Sequence, residues 1–174
     1  MEEPILQTET GNFSQINNTI THLAVLLIHK LIIYKFTDFK PGTESIEFEH
    51  KLKRNGHNLT KGRVSEKNYD IIFVQSIDGA VSIYEGENFI NMVVLSEVLF
   101  PGQLGYLNKK DSLVISNTAY ELECYSFNHL ASLKNSTMGA GPGGHVKQYN
   151  HVWNVNLGEL STQMQIIFNT TNKK

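Results

Sequence analysis

The chain has 174 residues, of which 40% are hydrophobic, and a formal net charge of −2. That length and apolar content suffice for one domain of ordinary size with a real core, and near-neutrality excludes a global attraction to nucleic acid or to an acidic membrane surface. A single cysteine, Cys124, excludes an intramolecular disulfide and a thiol cluster for zinc.

The N-terminal stretch "MEEPILQTETG" is acidic and lacks the basic and apolar regions of a signal peptide. No run approaches the roughly 18 apolar residues of a membrane span, so the chain reads as intracellular. The five Asn-x-Ser/Thr triplets, at Asn12, Asn17, Asn58, Asn135 and Asn169, then read as polar loop sequence rather than glycan acceptors. Residues 4–13, "PILQTETGNF", suit an innermost strand with small and polar residues near a crowded axis. "HLAVLLIHKLIIYKF" (22–36) is an apolar strand, a polar break at His29-Lys30 and a second strand. "SIEFEHKL" (45–52) alternates, with Ile46 and Phe48 on one face and Glu47 and Glu49 on the other, as suits an outermost strand whose charges discourage pairing.

The series then repeats. "HNLTKGRV" (57–64) takes the innermost place, and Ile71, Ile72, Phe73 and Val74 follow without alternation, so both faces of that strand require cover. Asp78-Gly79 predicts a type I′ hairpin turn into "AVSIYEG", and "ENFINMVVL" (87–95) is the outermost strand, too rich in β-branched residues for a helix. "GQLGYLN" (102–108), "DSLVISNTAYELECYSF" (111–127) with a turn at Asn117-Thr118, and "HVWNVNL" (151–157) form a third series. Tyr34, Tyr84 and Tyr125 fall at the same point of the three third strands, at intervals of 50 and 41 residues. "STQMQIIF" (161–168) resembles the first strand of a fourth unit.

A multi-strand unit recurring every 40 to 50 residues is the mark of a β-propeller. Short strands with Gly and Asn turns also describe a β-sandwich or a plain barrel; the recurrence favours the propeller. The expected fold is all-β: a partial β-propeller of about three four-stranded blades plus the first strand of a fourth, in an open arc. The approximate blades are 1–53, 54–97 and 98–157, the next begins at 161–168, and a polar tail covers 169–174.

No motif predicts chemistry, and neither catalytic, cofactor-binding nor metal-binding residues are assigned. "GAGPGG" (139–144) has G-x-G-x-x-G spacing but lacks the preceding strand and following helix that hold a pyrophosphate, and reads as a loop. His129, His145 and His151 do not converge as zinc ligands must. Lys51, Lys53, Arg54, Lys61 and Arg63 could meet phosphate, but no aromatic residues interleave for base stacking, and a solvated connection is the simpler reading. Cys124 alternates with Leu122 and reads as a small buried hydrophobe. A propeller enzyme of glycoside-hydrolase type needs two carboxylates converging on the channel. The inner segments supply Glu9 and little else.

In order along the chain, "EEPILQTETGNF", "HLAVLLIHKLIIY", "FEHKLKRNGHNLT", "DIIFVQSIDGAVSIYE", "FPGQLGYLNKKDSLVISN" and "WNVNLGE" resemble the N-terminal region of the Bardet–Biedl syndrome protein nine family. This is also called the parathyroid-hormone-responsive protein family. The resemblance spans residues 3–168, and the loop "NSTMGAGPGGHVKQYN" departs from it most. It implies a seven-bladed N-terminal propeller in a subunit of the BBSome, the coat-like adaptor that moves membrane proteins into and out of cilia. It further implies a non-enzymatic scaffold without cofactors, whose partners are other BBSome subunits, with indirect association to the ciliary membrane and an Arf-like small GTPase. Neither nucleic acid nor a small-molecule substrate is implied. The implied location is cytoplasm, cilium and ciliary base, peripheral to the ciliary membrane through the complex. Three units cannot close a ring, so the chain is expected to be a partial product or a fragment, aggregation-prone or only partly ordered when alone.

Overall fold

Strands β1 (Gln7–Gly11), β2 (His22–Leu26), β3 (Lys30–Phe36) and β4 (Glu44–Lys51) form the first of three four-stranded sheets in a computed structural model that describes residues 3–15, 20–36, 44–95, 101–133 and 151–167. The second sheet holds β5 (Gly56–Gly62), β6 (Ile71–Ser76), β7 (Ala80–Glu85) and β8 (Asn88–Val94). The third holds β9 (Pro101–Leu107), β10 (Ser112–Asn117), β11 (Glu121–Ser126) and β12 (Trp153–Asn156). Every pairing is antiparallel and joins strands consecutive in the chain. The innermost strands β1, β5 and β9 lie side by side. No closed barrel forms among the described residues; the architecture is a partial, propeller-like arc.

The second sheet is the middle layer, which accounts for the unbroken apolar run of β6. Ile72 and Val74, with Leu59 and Tyr84, pack against Phe13, Ala24, Leu26, Leu31 and Ile33 of the first sheet and its β1–β2 connection. Ile71 and Phe73, with Val81, Ile83 and Val93, pack against Tyr106, Leu113, Ile115 and Tyr125 on the other side. Successive side chains of a strand point to opposite faces, so two covered faces demand four consecutive apolar residues. The absence of a side chain at Gly62 lets β5 lie directly against the Tyr106 ring at this second seam, where a Cβ would collide with the ring.

The repeat is visible in the register. Tyr34 lies opposite Leu23, Tyr84 opposite Ile72 and Tyr125 opposite Leu113. Tyr84 and Tyr125 each face the preceding sheet and are 2% exposed. Tyr34 occupies the same place on the first sheet, beside Val25, Leu27 and Ile32, with no described strand over that face. A β-bulge breaks the β3–β4 register at Ile33/Tyr34, and a second breaks β7–β8 at Ile83/Tyr84. The first corrects the expectation that Ile46 and Phe48 share a face. Phe48 lies opposite Ile33 and joins the seam, whereas Ile46 lies opposite Tyr34 and is 55% exposed. Glu47 and Glu49 pair instead with Lys35 and Lys30, each at 3.8 Å.

Two further expectations need correction. The β6–β7 connection is not a type I′ turn. Gly79 N–H bonds the Ser76 carbonyl at 2.9 Å, and of the loop residues only Gly79 has positive φ, at 83°. This is the three-residue loop with a left-handed last residue, held by the Ser76 hydroxyl against Asp78 and Ala80. The β10–β11 loop repeats it with Tyr120 at φ 64° and Tyr120 N–H bonding the Asn117 carbonyl. Residues 161–167 carry no strand; Met164 and Ile166 instead lie across β9 at Gly105. One short helix, α1 (Phe127–Ser132), buries Phe127 and Leu130 against the second seam. It also covers β8, where the Asn91 amide donates to the carbonyls of Leu130, at 2.8 Å, and Leu133.

At the head of β2, His22 is fully buried, and its Nδ1 accepts the Phe13 N–H at 3.3 Å. Burial holds its pKa below the usual 6.5; the nearby Lys35 charge acts the same way, and the Glu47 charge opposes it. The unfolded chain therefore binds the proton first. Stability is complete above about pH 6.5 and falls as pH drops below it toward the depressed folded value. Protonation at Nδ1 would also remove the acceptor for Phe13. Denaturant unfolding between pH 7 and pH 5 should show this loss, and His22→Asn should flatten it; an unchanged slope in the variant would refute the assignment.

Candidate interaction surface

The polar residues singled out in the sequence mostly serve the seams. Arg63 Nε donates to Asp70 Oδ1 at 2.9 Å, while Asp70 Oδ2 accepts the Asn12 N–H at 3.0 Å and the Asp70 N–H returns to the Asn12 carbonyl at 2.6 Å. Asp70 is 6% exposed, so this double tie between the first and second sheets is shielded from water. Lys61 Nζ donates to the Thr10 carbonyl, and Arg54 pairs with Asp78 across the loops. Lys53 Nζ lies 4.3 Å from the centroid of the Phe89 ring. Lys51 is exposed, opposite Lys30 in the register. Each of the other four cations has a partner within the fold, so the five do not assemble into a phosphate cradle.

Asn58 Nδ2 donates to Gln75 Oε1 at 2.9 Å and to the Gly102 carbonyl at 2.5 Å, tying the second and third sheets. Asn12 is buried beside Asp70. The Asn58 amide cannot carry a glycan without breaking its contacts, and the Asn12 amide is buried; Asn17, Asn135 and Asn169 lie outside the described residues, as do His145 and the 139–144 glycines. His151 meets Tyr125 edge-on at 6.5 Å, and His129 sits in α1. Among the described residues no three ligating side chains converge on a metal position. Cys124 is 1% exposed, and burial pushes its thiol pKa up, against a reactive role.

A cavity of about 450 Å³ opens where the inner strands converge, lined by Gln7, Glu9, Lys61, Gln103 and Tyr106 and crossed by Ile166. Burial raises the Glu9 carboxyl and the Lys61 charge opposes the shift. Glu9 is the sole carboxylate among the described residues lining it.

The remaining candidate is the surface itself. The outward face of the first sheet carries Leu23, Val25, Ile32, Tyr34 and Ile46, at the positions that Ile72, Val74, Tyr84 and their neighbours use to meet a sheet. On the far side of the arc, Gly105, Val114, Cys124 and Trp153 form one row across the third sheet. Trp153 there is 38% exposed and Val155, two residues on, 51%. Sequence reasoning had the apolar residues of both faces but missed Asp70, whose one signal is its place immediately before the apolar run of β6. Val25, Ile32, Val114 and Cys124 are buried, and the apolar side chains still exposed at the two ends, Ile46, Trp153 and Val155, lead to an expected behaviour: the 174-residue chain expressed alone should sediment as a mixture of associated species. A single monomeric boundary in sedimentation velocity would contradict this.

The whole chain, residues 1–174, matches the family described as "PTHB1 N-terminal". It is 31% identical over 189 residues to Protein PTHB1 of Xenopus laevis, an alignment covering 98% of this chain and 22% of that protein. Identity to Protein PTHB1 of Homo sapiens is 28% over 184 residues, covering 96% and 20%. The Protein pthb1 homolog of Caenorhabditis elegans is 30% identical over 167 residues, covering 93% and 20%. The chain spans about a fifth of the length of the curated relatives it matches.

Proposed function

Because the chain belongs to the PTHB1 N-terminal family, we propose that it is a scaffolding propeller segment of the BBSome subunit whose family its motifs resemble, Bardet–Biedl syndrome protein nine. In this reading it contributes to the traffic of membrane proteins to and from the cilium. It acts without catalysis or cofactor, through contacts with other BBSome subunits. Its place is the cytoplasm, ciliary base and cilium, with the ciliary membrane and an Arf-like small GTPase reached through the complex. The observation that carries the proposal is the end-to-end match to the family, across all three sheets, with relatives about five times longer. The physical reading supports it: Asn12 and Asn58 tie sheets together, and apolar side chains stay exposed at both ends of the arc, Ile46 at one and Trp153 and Val155 at the other, where a partner would cover them.

Affinity purification of the full-length protein from ciliated cells tests it. Recovery of the other Bardet–Biedl subunits is the expected result, and an intact bait that brings down none of them overturns the proposal. A glycoside hydrolase would need a second carboxylate about 5–9 Å from Glu9.

A further inference from the structure

The three sheets treat their outermost strands differently. A free strand edge offers unpaired N–H and C=O groups to any extended chain, and proteins blunt it with charge or cover. β4 carries Glu47, Glu49 and Lys51 along its edge, two of them in ion pairs. β8 carries no charge but is covered by α1 through Asn91. β12, "WNVN", has neither device: it has no charged residue, all four residues are exposed, and no described strand pairs with its outer side.

The side chains around this edge specify what would fit it. Trp153, Val155 and Leu157 are 38%, 51% and 44% exposed and share one face at alternate positions. The other face presents Asn154 and Asn156, which lie opposite Glu123 and Glu121 of β11. The Glu123 carboxylate accepts the Tyr125 hydroxyl at 3.0 Å and the Glu121 carboxylate accepts the Asn117 amide at 3.4 Å, which places two carboxylates side by side on this face. The backbone is available as well. Leu157 N–H donates to the Tyr120 carbonyl at 2.6 Å, and because bonded pairs alternate along an antiparallel ladder, the Asn154 and Asn156 amides point away from β11.

We propose that the outer edge of β12 is a strand-addition site for an extended segment of a partner protein that alternates apolar and basic residues. The apolar side chains of the segment cover the Trp153–Val155–Leu157 ridge. Its Lys and Arg side chains reach over Asn154 and Asn156 toward Glu121 and Glu123, and its backbone completes the ladder, the mode of β-augmentation. Charge complementarity selects the basic partner, and the absence of edge charge on β12 leaves the backbone open to it.

The test uses the purified full-length protein and three synthetic ten-residue peptides: one alternating Val/Leu with Lys, one with Glu in place of every Lys, and one with the first composition in blocks. The alternating basic peptide should bind at least about tenfold tighter than either control, and hydrogen exchange should slow at the amides of Asn154 and Asn156. Asn154→Pro removes an outward N–H while leaving the β11 side intact; it should abolish binding without shifting the melting transition. Glu121→Gln with Glu123→Gln should erase the preference for Lys over Glu, which keeps the proposal falsifiable if the proline variant fails to fold. Equal binding of basic and acidic peptides, protection elsewhere on the chain, undiminished binding to Asn154→Pro, or no binding at all would each overturn it.

Discussion

Phe73→Ala should destabilise the fold by about 3–5 kcal/mol, the range for deleting a fully buried aromatic side chain. Phe73 is 0% exposed at the centre of the second seam. Its ring stacks on Tyr106 at 5.0 Å and meets Phe127 edge-on at 6.2 Å, so truncation strips contacts from β9 and α1 together. Collapse of the cavity is opposed from both sides: the Tyr106 ring is already pressed against Gly62, and α1 is fixed by Asn91. Denaturant melts should show the loss as a lower midpoint, and Phe73→Leu should recover most of it. A loss below about 1 kcal/mol for the alanine variant would mean that the seam is not packed as described.

Asp70→Ala should cost roughly 3 kcal/mol, far more than Arg63→Ala, although the two residues form one ion pair. The difference comes from what each deletion leaves behind. Without Asp70, the buried Asn12 N–H loses its charged acceptor, a hydrogen bond of the class worth about 1.5–3 kcal/mol, and remains out of reach of water. Without Arg63, Asp70 still accepts from Asn12, and the lost partner is a side chain half exposed to solvent, whose place beside the carboxylate water can take, so the cost is smaller. Asp70→Asn should fall between the two. Equal losses for the Asp70 and Arg63 alanine variants in urea unfolding would show that the ion pair, not the backbone tie, is what matters.

The fold was legible wherever one side chain decides one face. The run Ile71–Val74 announced a strand covered on both sides, and the recurring tyrosines announced equivalent strands, because both follow from the two-residue period alone. Legibility failed where geometry depends on partners distant in sequence. The exposure of Ile46 follows from a bulge in its pairing with β3, which the alternation of "SIEFEHKL" conceals. The loop at Gly79 follows from the Ser76 hydroxyl, which competes with the type I′ geometry that Asp-Gly favours. Residues 161–167 have strand-like composition, yet composition supplies no neighbour with free hydrogen-bonding groups, and the segment lies across β9 without joining it. The helix α1 is six residues long, too short for a periodic signal, and stands by tertiary contacts to β8 and β11. The candidate surface was half legible: its apolar residues are plain in the sequence, while the polar ties that fix its orientation join positions 44 to 58 residues apart.

Each sheet is assembled from four strands in the order of synthesis, so nothing in a blade waits for a residue from a later one. Loop closure within a blade is short-range, and short-range closure is fast. On the ribosome, the first blade can therefore pair completely before the second has left the exit tunnel, and the seams form afterwards, one docking at a time. Newly made blades spend that interval with one apolar face open, for as long as the next 40 to 50 residues take to emerge at about 5–20 residues per second. A few seconds of such exposure recur at every blade, and the pace of elongation becomes part of how this protein reaches its fold.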